Sequence, residues 1–391
     1  MRVLICLLLT AALIAPAAAQ ARPPLLIPAA ALSASAPRDA ATQAALIARA
    51  DAALAIKPPS VLDKTLTPAS GDKQDFLSFG PYWWPDPGKP GGLPYIRRDG
   101  MRNPAFVEGS DGPAFAKVCA AVETLGLAYW FTRDERYAAK AAALTRVWFL
   151  DARSRMNPNF QHAQAIPGIS EGRGIGIIEA RWLINLNEGL ALLSASPAWT
   201  GADRQALQVW MSAFYGWLRD SANGRDEKRE LNNHGTWYDA QVAYLALLLN
   251  RPEDAKEILR EGLTRRLIAQ VEADGSQPME MSRTRSLDYA IFNLEALMLC
   301  AQLADHVGLD WWNFASPDGR SLLGALAYLA PFADPARPWP KPDVQAADRR
   351  RLIPLLALFL QHREDATLRV IFSRASGTGS TDSKVLPFGL P

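Results

Sequence analysis

The sequence predicts an all-α protein. Three observations point there. From Pro113 onward apolar residues recur at helical spacing in one segment after another, short connections rich in Gly, Pro and Asp separate most segments, and hairpin signals are scarce. Pro94-Tyr95-Ile96 is the one place where a hairpin is suggested. At 391 residues and 49% hydrophobic composition the chain can bury a large core, and length alone allows one to three domains.

Residues 1–19 read as a signal peptide. Arg2 supplies the positive start, residues 3–14 are apolar, and Ala17-Ala18-Ala19 precedes Gln20 as a small-residue cleavage site. The apolar stretch is too short for a comfortable membrane span. The mature chain is therefore expected to be periplasmic or secreted, without stable membrane insertion after cleavage. Residues 20–37 form an Ala/Pro-rich leader, expected to be extended or disordered, and 38–391 a single domain. Within it, residues 38–56 carry a helical pattern, with Leu46, Ile47, Ala50 and Leu54 on one face. Residues 57–113 are dense in Pro, Gly and aromatics and lack a sustained period. A long ordered loop region is expected, and such loops usually act as lids or binding loops.

Helices follow near 113–132, 134–150, 175–194, 201–222, 235–250, 253–272, 286–306, 319–331, 346–362 and 364–375. The first has Ser110 or Asp111 available as its cap and Pro113 in its first turn. Paired helices joined by short links fit either a closed ring or an α-solenoid, and no repeat of fixed length is evident.

The net charge of +2 gives no sign of the concentrated basic face that nucleic-acid binding needs. Cys6 leaves with the signal. Cys119 and Cys300 fall in predicted helices and read as reduced, buried thiols. Four His without a cluster, and no CxxC spacing, argue against a metal, and no cofactor is implied. A monomer is expected.

Two stretches carry the chemistry. Leu231-Asn232-Asn233-His234-Gly235-Thr236-Trp237-Tyr238-Asp239 opens one apolar helix, with Asn232 or Asn233 as a natural cap. Glu280-Met281-Ser282-Arg283-Thr284-Arg285-Ser286-Leu287-Asp288-Tyr289 opens another. An amide, an imidazole, a guanidinium and a phenol, each where a loop meets a helix, suit proton abstraction next to a carboxylate.

These stretches resemble the alginate lyase family of polysaccharide lyases. The likeness extends through Phe79-Gly80-Pro81-Tyr82-Trp83-Trp84-Pro85-Asp86-Pro87, Gly92-Leu93-Pro94-Tyr95-Ile96-Arg97-Arg98-Asp99-Gly100, Met156-Asn157-Pro158-Asn159, Gln164-Ala165-Ile166-Pro167-Gly168, Gly172-Arg173-Gly174 and Ser316-Pro317-Asp318-Gly319-Arg320. The resemblance implies an incomplete (α/α) toroid with a cleft at one end, and an anionic polysaccharide as substrate. It implies β-elimination at a 4-linked uronate of alginate, mannuronan or glucuronan, leaving unsaturated ends.

That reaction needs the carboxylate beside C5 neutralised, a base for the C5 proton and an acid for O4. Asn233 and Arg283 suit the neutralising role, the guanidinium as a bidentate carboxylate binder. Arg283 is preferred to Arg285 because it matches the family's Arg-Thr pair. His234 suits the base, or lowers the pKa of a neighbouring phenol. Tyr289 suits the acid, and in a syn elimination one Tyr serves as both; its separation from His234 is similar to the family's. Mannuronate and glucuronate, whose C5 hydrogen and O4 share a side, fit a single Tyr better than guluronate. Tyr82, Trp83 and Trp84 are candidate sugar platforms, Arg98, Gln164 and Arg173 candidate binders, and Glu280 a candidate partner holding Arg283. Two rival readings remain: a glycoside hydrolase drawing paired carboxylates from Glu171, Glu179, Asp239, Glu280 or Asp288, and a non-catalytic exported polysaccharide-binding protein.

Overall fold

The computed structural model describes residues 22–28, 32, 40–106 and 109–377. The expected signal peptide lies outside the described residues, as does most of the leader. Thirteen α-helices run through the described residues: α1 (Ala40–Leu54), α2 (Gly112–Thr132), α3 (Glu135–Thr145), α4 (Trp182–Ala191), α5 (Gly201–Asp220), α6 (Ala222–Arg229), α7 (Asn233–Leu248), α8 (Pro252–Gly262), α9 (Pro278–Met281), α10 (Ser286–Asp305), α11 (Leu322–Leu329), α12 (Leu352–His362) and α13 (Ala366–Ser376). Tighter or wider turns lengthen some of them. A π turn at Arg146–Leu150 continues α3, another at Leu263–Ile268 continues α8, and a 3-10 run at Gly174–Arg181 leads into α4. The sequence pattern reads these turns as helix because their side chains keep nearly helical spacing.

The helices form an incomplete (α/α) toroid. α2 packs on α4, and α7 on α10, while α3, α5 and α8 pack outside them. Burial separates the two layers. α7 buries thirteen of its sixteen residues and α10 sixteen of twenty, so both are surrounded by protein. α5, by contrast, buries one stripe, Leu207, Trp210, Met211, Phe214 and Leu218, and leaves its other face to solvent. By length and composition α2 and α10 resemble membrane spans, but α10 has 83% of that stretch inside the protein. Cys119 and Cys300 are both free and buried, and burial raises both thiol pKa values.

Two departures from expectation bear on the site. Asp111 stands at the N-cap position of α2, yet its carboxylate accepts the Leu77 N–H (2.8 Å) and pairs with Lys64 (3.0 Å) instead of capping. The buried Lys64 also donates to the Val61 and Lys73 carbonyls, so this pair pins the long loop region to the helical body. Secondly, part of the leader is ordered. Leu26 and Ile27 are buried, and the N–H groups of Leu25, Leu26 and Ile27 converge on the Glu188 carboxylate of α4. An apolar Leu-Leu-Ile run outweighs the flanking Ala/Pro bias.

The loop region contributes four short strands with residues further on: β1 (Leu77–Phe79), β2 (Trp83–Trp84), β3 (Ile96–Arg97) and β4 (His162–Ala165). β1 and β4 pair in parallel, and β2 and β3 pair antiparallel with Trp83 opposite Arg97. The hairpin suggested at residues 94–96 is therefore present, with its partner strand thirteen residues earlier.

Candidate active site

The entrance to α7 is fixed from behind by a buried ion pair. Arg266 reaches Asp239 (2.8 Å) and donates to the carbonyls of Glu230 (2.6 Å) and Lys228 (2.8 Å), which holds the chain just before Asn232. Of the two asparagines, Asn232 is the cap, its side chain accepting the His234 N–H at 2.9 Å. That frees the Asn233 side chain, which is fully buried. Its N–H and amide nitrogen both donate to Glu280, at 2.6 and 2.7 Å. Glu280 therefore holds Asn233 and not Arg283, and it lies behind the cavity wall rather than on it. Burial pushes the Glu280 carboxyl up, and the two Asn233 hydrogen bonds pull against it.

His234 has a partner the sequence did not suggest. Its Nδ1 lies 2.9 Å from Oε1 of Glu227, a fully buried carboxylate on α6. Burial raises the Glu227 pKa, and His234 opposes that shift. In the tautomer whose Nδ1–H donates to Glu227, the ring lone pair lies on Nε2.

The second stretch converges on the same place. Arg283 Nη2 donates to the Tyr289 hydroxyl (2.9 Å), and the guanidinium sits 3.9 Å from the centre of the Tyr289 ring. Tyr289 in turn donates to the Tyr82 hydroxyl at 2.8 Å. Burial and Tyr82 push the Tyr289 pKa up, while Arg283 pulls it down; the net direction is up, so the phenol rests protonated. The bidentate face of Arg283 is already filled by Asp99, at 2.7 and 3.2 Å. Asp99 follows β3, so the hairpin, the guanidinium and the phenol form one hydrogen-bonded chain. Although partial burial opposes it, Arg283 holds the Asp99 pKa well below the usual carboxylate range.

Asn233, His234, Arg283, Tyr289, Tyr82, Trp83, Gln164 and Arg173 all line one cavity of about 930 Å³. Five helices present their first turns to it, at Gly112, Trp182, His234, Tyr289 and, just before α12, Arg351. Their dipoles add a positive field at this end. Arg173 donates to the Gln164 backbone and side-chain oxygens (2.9 and 3.1 Å), and burial lowers its pKa to about 10. Gln164 holds a left-handed backbone, φ 49°, to make that contact. Gly80 beside them has no room for a Cβ, which would press on Trp83 and Arg173.

Trp84 and Arg98 fall elsewhere. Successive strand residues face opposite ways, so with Trp83 turned to the cavity, Trp84 faces out. Its indole donates to the Met101 carbonyl (2.9 Å), and Arg98 packs over its ring at 5.3 Å. Neither lines the cavity; Arg97 does. Of the carboxylates considered for hydrolysis, Asp239 is bound by Arg266, Glu280 by Asn233, and Asp288 by Arg351 at 2.7 Å. Glu179 lines the cavity, and Glu171 does not.

A helical toroid whose open end gathers a phenol, a guanidinium, an imidazole and an amide is the architecture of a polysaccharide lyase. Comparison with known proteins agrees. Residues 60–339 match the alginate lyase family. An alginate lyase from Bacteroides ovatus is 37% identical, with 95% of this chain and 100% of that chain covered and a TM-score of 0.88. Alginate lyase A1-III, as a variant complexed with a tetrasaccharide, is 17% identical over 90% of this chain and 91% of that one, with a TM-score of 0.54, a likeness of fold. Comparison with curated proteins finds no match. The chain belongs to the alginate lyase family.

Proposed function

We propose that the protein is an exported, monomeric lyase that cleaves a 4-linked polyuronate (alginate, mannuronan or glucuronan) by β-elimination. The observation that carries this reading is that Tyr289 and His234, at the first turns of two helices, line one anion-attracting cavity. The substrate acid group sits at the start of α7, where the second amide N–H of Asn233 and the helix dipole offset its charge. His234, oriented by Glu227, presents Nε2 as base to the C5 proton. Tyr289, protonated at rest, delivers its proton to O4, and the Arg283 guanidinium stabilises the phenolate left behind. Asp99 holds Arg283 in that position, so the guanidinium serves the phenol rather than the substrate acid group.

Electrons and protons balance. The C5–H pair becomes the C4–C5 double bond, the C4–O4 bond breaks, and one proton leaves C5 while another reaches O4. The C4–C5 double bond of the product is conjugated to its carboxylate and absorbs in the far ultraviolet, and a hydrolysis product does not. Incubation with defined mannuronan, guluronan and glucuronan should give rising absorbance with at least one of them. New reducing ends without absorbance would overturn the reading in favour of hydrolysis. Export is tested separately, by N-terminal sequencing of the protein recovered outside the cytoplasm, which should begin at Gln20.

A further inference from the structure

The cavity does not end at the reacting cluster. Phe292 lies three residues beyond Tyr289 on α10, and Trp237 three beyond His234 on α7; their rings meet at 5.0 Å and mark a level one helical turn, about 5 Å, further in. At that level stands Arg181, the residue before α4. It faces the cavity but is otherwise enclosed by protein, its guanidinium 4.9 Å from the Trp182 ring and 5.4 Å from the Phe292 ring. Among the described residues its hydrogen bonding consists of one donation, from Nη1 to the Ile178 carbonyl at 3.0 Å. A guanidinium has five donors, and an enclosed one without an anion is costly.

Four other cavity cations are held in ion pairs. Arg283 and Arg97 hold Asp99, Arg285 holds Asp288, and Arg351 holds Glu295 and Asp288. Glu179, two residues before Arg181, takes the Ser78 hydroxyl on Oε1 (3.0 Å), while Oε2 is buried with no partner. Burial pushes its pKa to about 7, so near neutrality it can carry a proton to donate. Arg102 also lines this chamber. Below it the wall is mostly apolar, with Met298, Leu299, Leu355 and Leu358; the amides of Asn185 and Gln302 there donate to Glu123 and to the Leu26 carbonyl, and the wall ends against Leu26 of the ordered leader. A charged polymer has no passage there.

We propose that Arg181, with Glu179 and Arg102, forms a subsite for the acid group of a chain-end uronate, so that the enzyme shortens its polymer from an end. This rests on the polyuronate reading above. Arg181 grips the carboxylate with its open N–H groups, and the Glu179 carboxyl meets a sugar hydroxyl. The apolar floor and the 22–28 segment stop the chain at this point.

Two experiments on the full mature chain test the subsite. Product lengths are followed by mass spectrometry from the first turnovers on a polyuronate; mono- and disaccharides should appear at once while the remaining polymer stays long. Arg181→Gln should raise KM for a uronate trisaccharide by roughly 10- to 100-fold, with kcat changed less and Arg181→Lys recovering part of the loss. Products of intermediate length from the outset, or a folded Arg181→Gln protein with unchanged KM, would overturn the proposal. If that variant does not fold, free glucuronate should still raise the melting temperature of the unaltered protein where glucose does not; equal effects of the two sugars would also overturn it. Failure of the lyase reading looks different. It would appear as no unsaturated product from any polymer, whatever the glucuronate result.

Discussion

Glu227 is the residue on which the proposed base depends. Its carboxylate fixes which nitrogen of His234 carries the proton, and it lies behind His234, outside the cavity lining. Glu227→Gln should therefore lower kcat by roughly 10²–10⁴-fold, the range that general acid–base catalysis supplies, while KM stays nearly constant. A steady-state comparison checks this, and an unchanged kcat would remove Glu227 from the mechanism. Residue types drew notice to His234 and Tyr289, a lone imidazole and a phenol at two helix starts, and the resemblance to the family, which shares their separation, singled them out. Glu227 was not legible. It lies in α6, a polar run with no apolar period, where one carboxylate looks like any solvated charge. Asp99 was equally hidden, since only the folded hairpin carries it across 184 residues of sequence to Arg283.

At the level of single elements, the start of α7 is positioned by several independent contacts. Asn232 caps it, and Asn232→Ala should cost about 1 kcal/mol in a denaturant titration. Arg266→Met removes the closer of the two guanidinium partners of the buried Asp239 and leaves Arg265 at 3.3 Å, and should cost about 2–3 kcal/mol in the same titration. Gly235 packs against Glu230 and Arg266 so closely that an alanine there displaces the backbone carrying His234. Most of the helices were readable from apolar spacing, including α7 and α10, although both are too buried to show a polar face; the polar α6 and the single-turn α9 were not. Exact helix ends were less readable. The helix expected at 201–222 stops at Ser221, whose side chain caps α6, a helix the sequence pattern did not predict. Strand alternation could have separated Trp83 from Trp84, but only once β2 was known to be a strand.

For the molecule as a whole, the toroid buries acids as well as apolar surface, and this sets its pH response. Burial, against a hydrogen bond from Asn185, pushes Glu123 of α2 from its ordinary 4.5 to about 7. The folded state then binds more protons than the unfolded chain between those values. The associated stability is complete below pH 4.5 and is lost as pH rises through 7, about 3 kcal/mol for a shift of this size. Glu179 acts in the same window and the same direction. Glu123→Gln keeps an acceptor for Asn185 and should flatten the decline in melting temperature across that range; an unaltered slope would contradict the assignment. The same architecture aims five helix starts at one cavity, which is a property of the ring and not of any one segment. The all-α class was legible because period and connections agree. The ring itself was not, since a solenoid satisfies the same spacing and only the resemblance favoured closure.

The central claim is that a phenol and an imidazole act together on one sugar. The most direct measurement is turnover and polymer binding by Tyr289→Phe, side by side. The account predicts that production of unsaturated ends falls by at least roughly 10²-fold while the polymer is still bound. Turnover equal to that of the unaltered protein would contradict it.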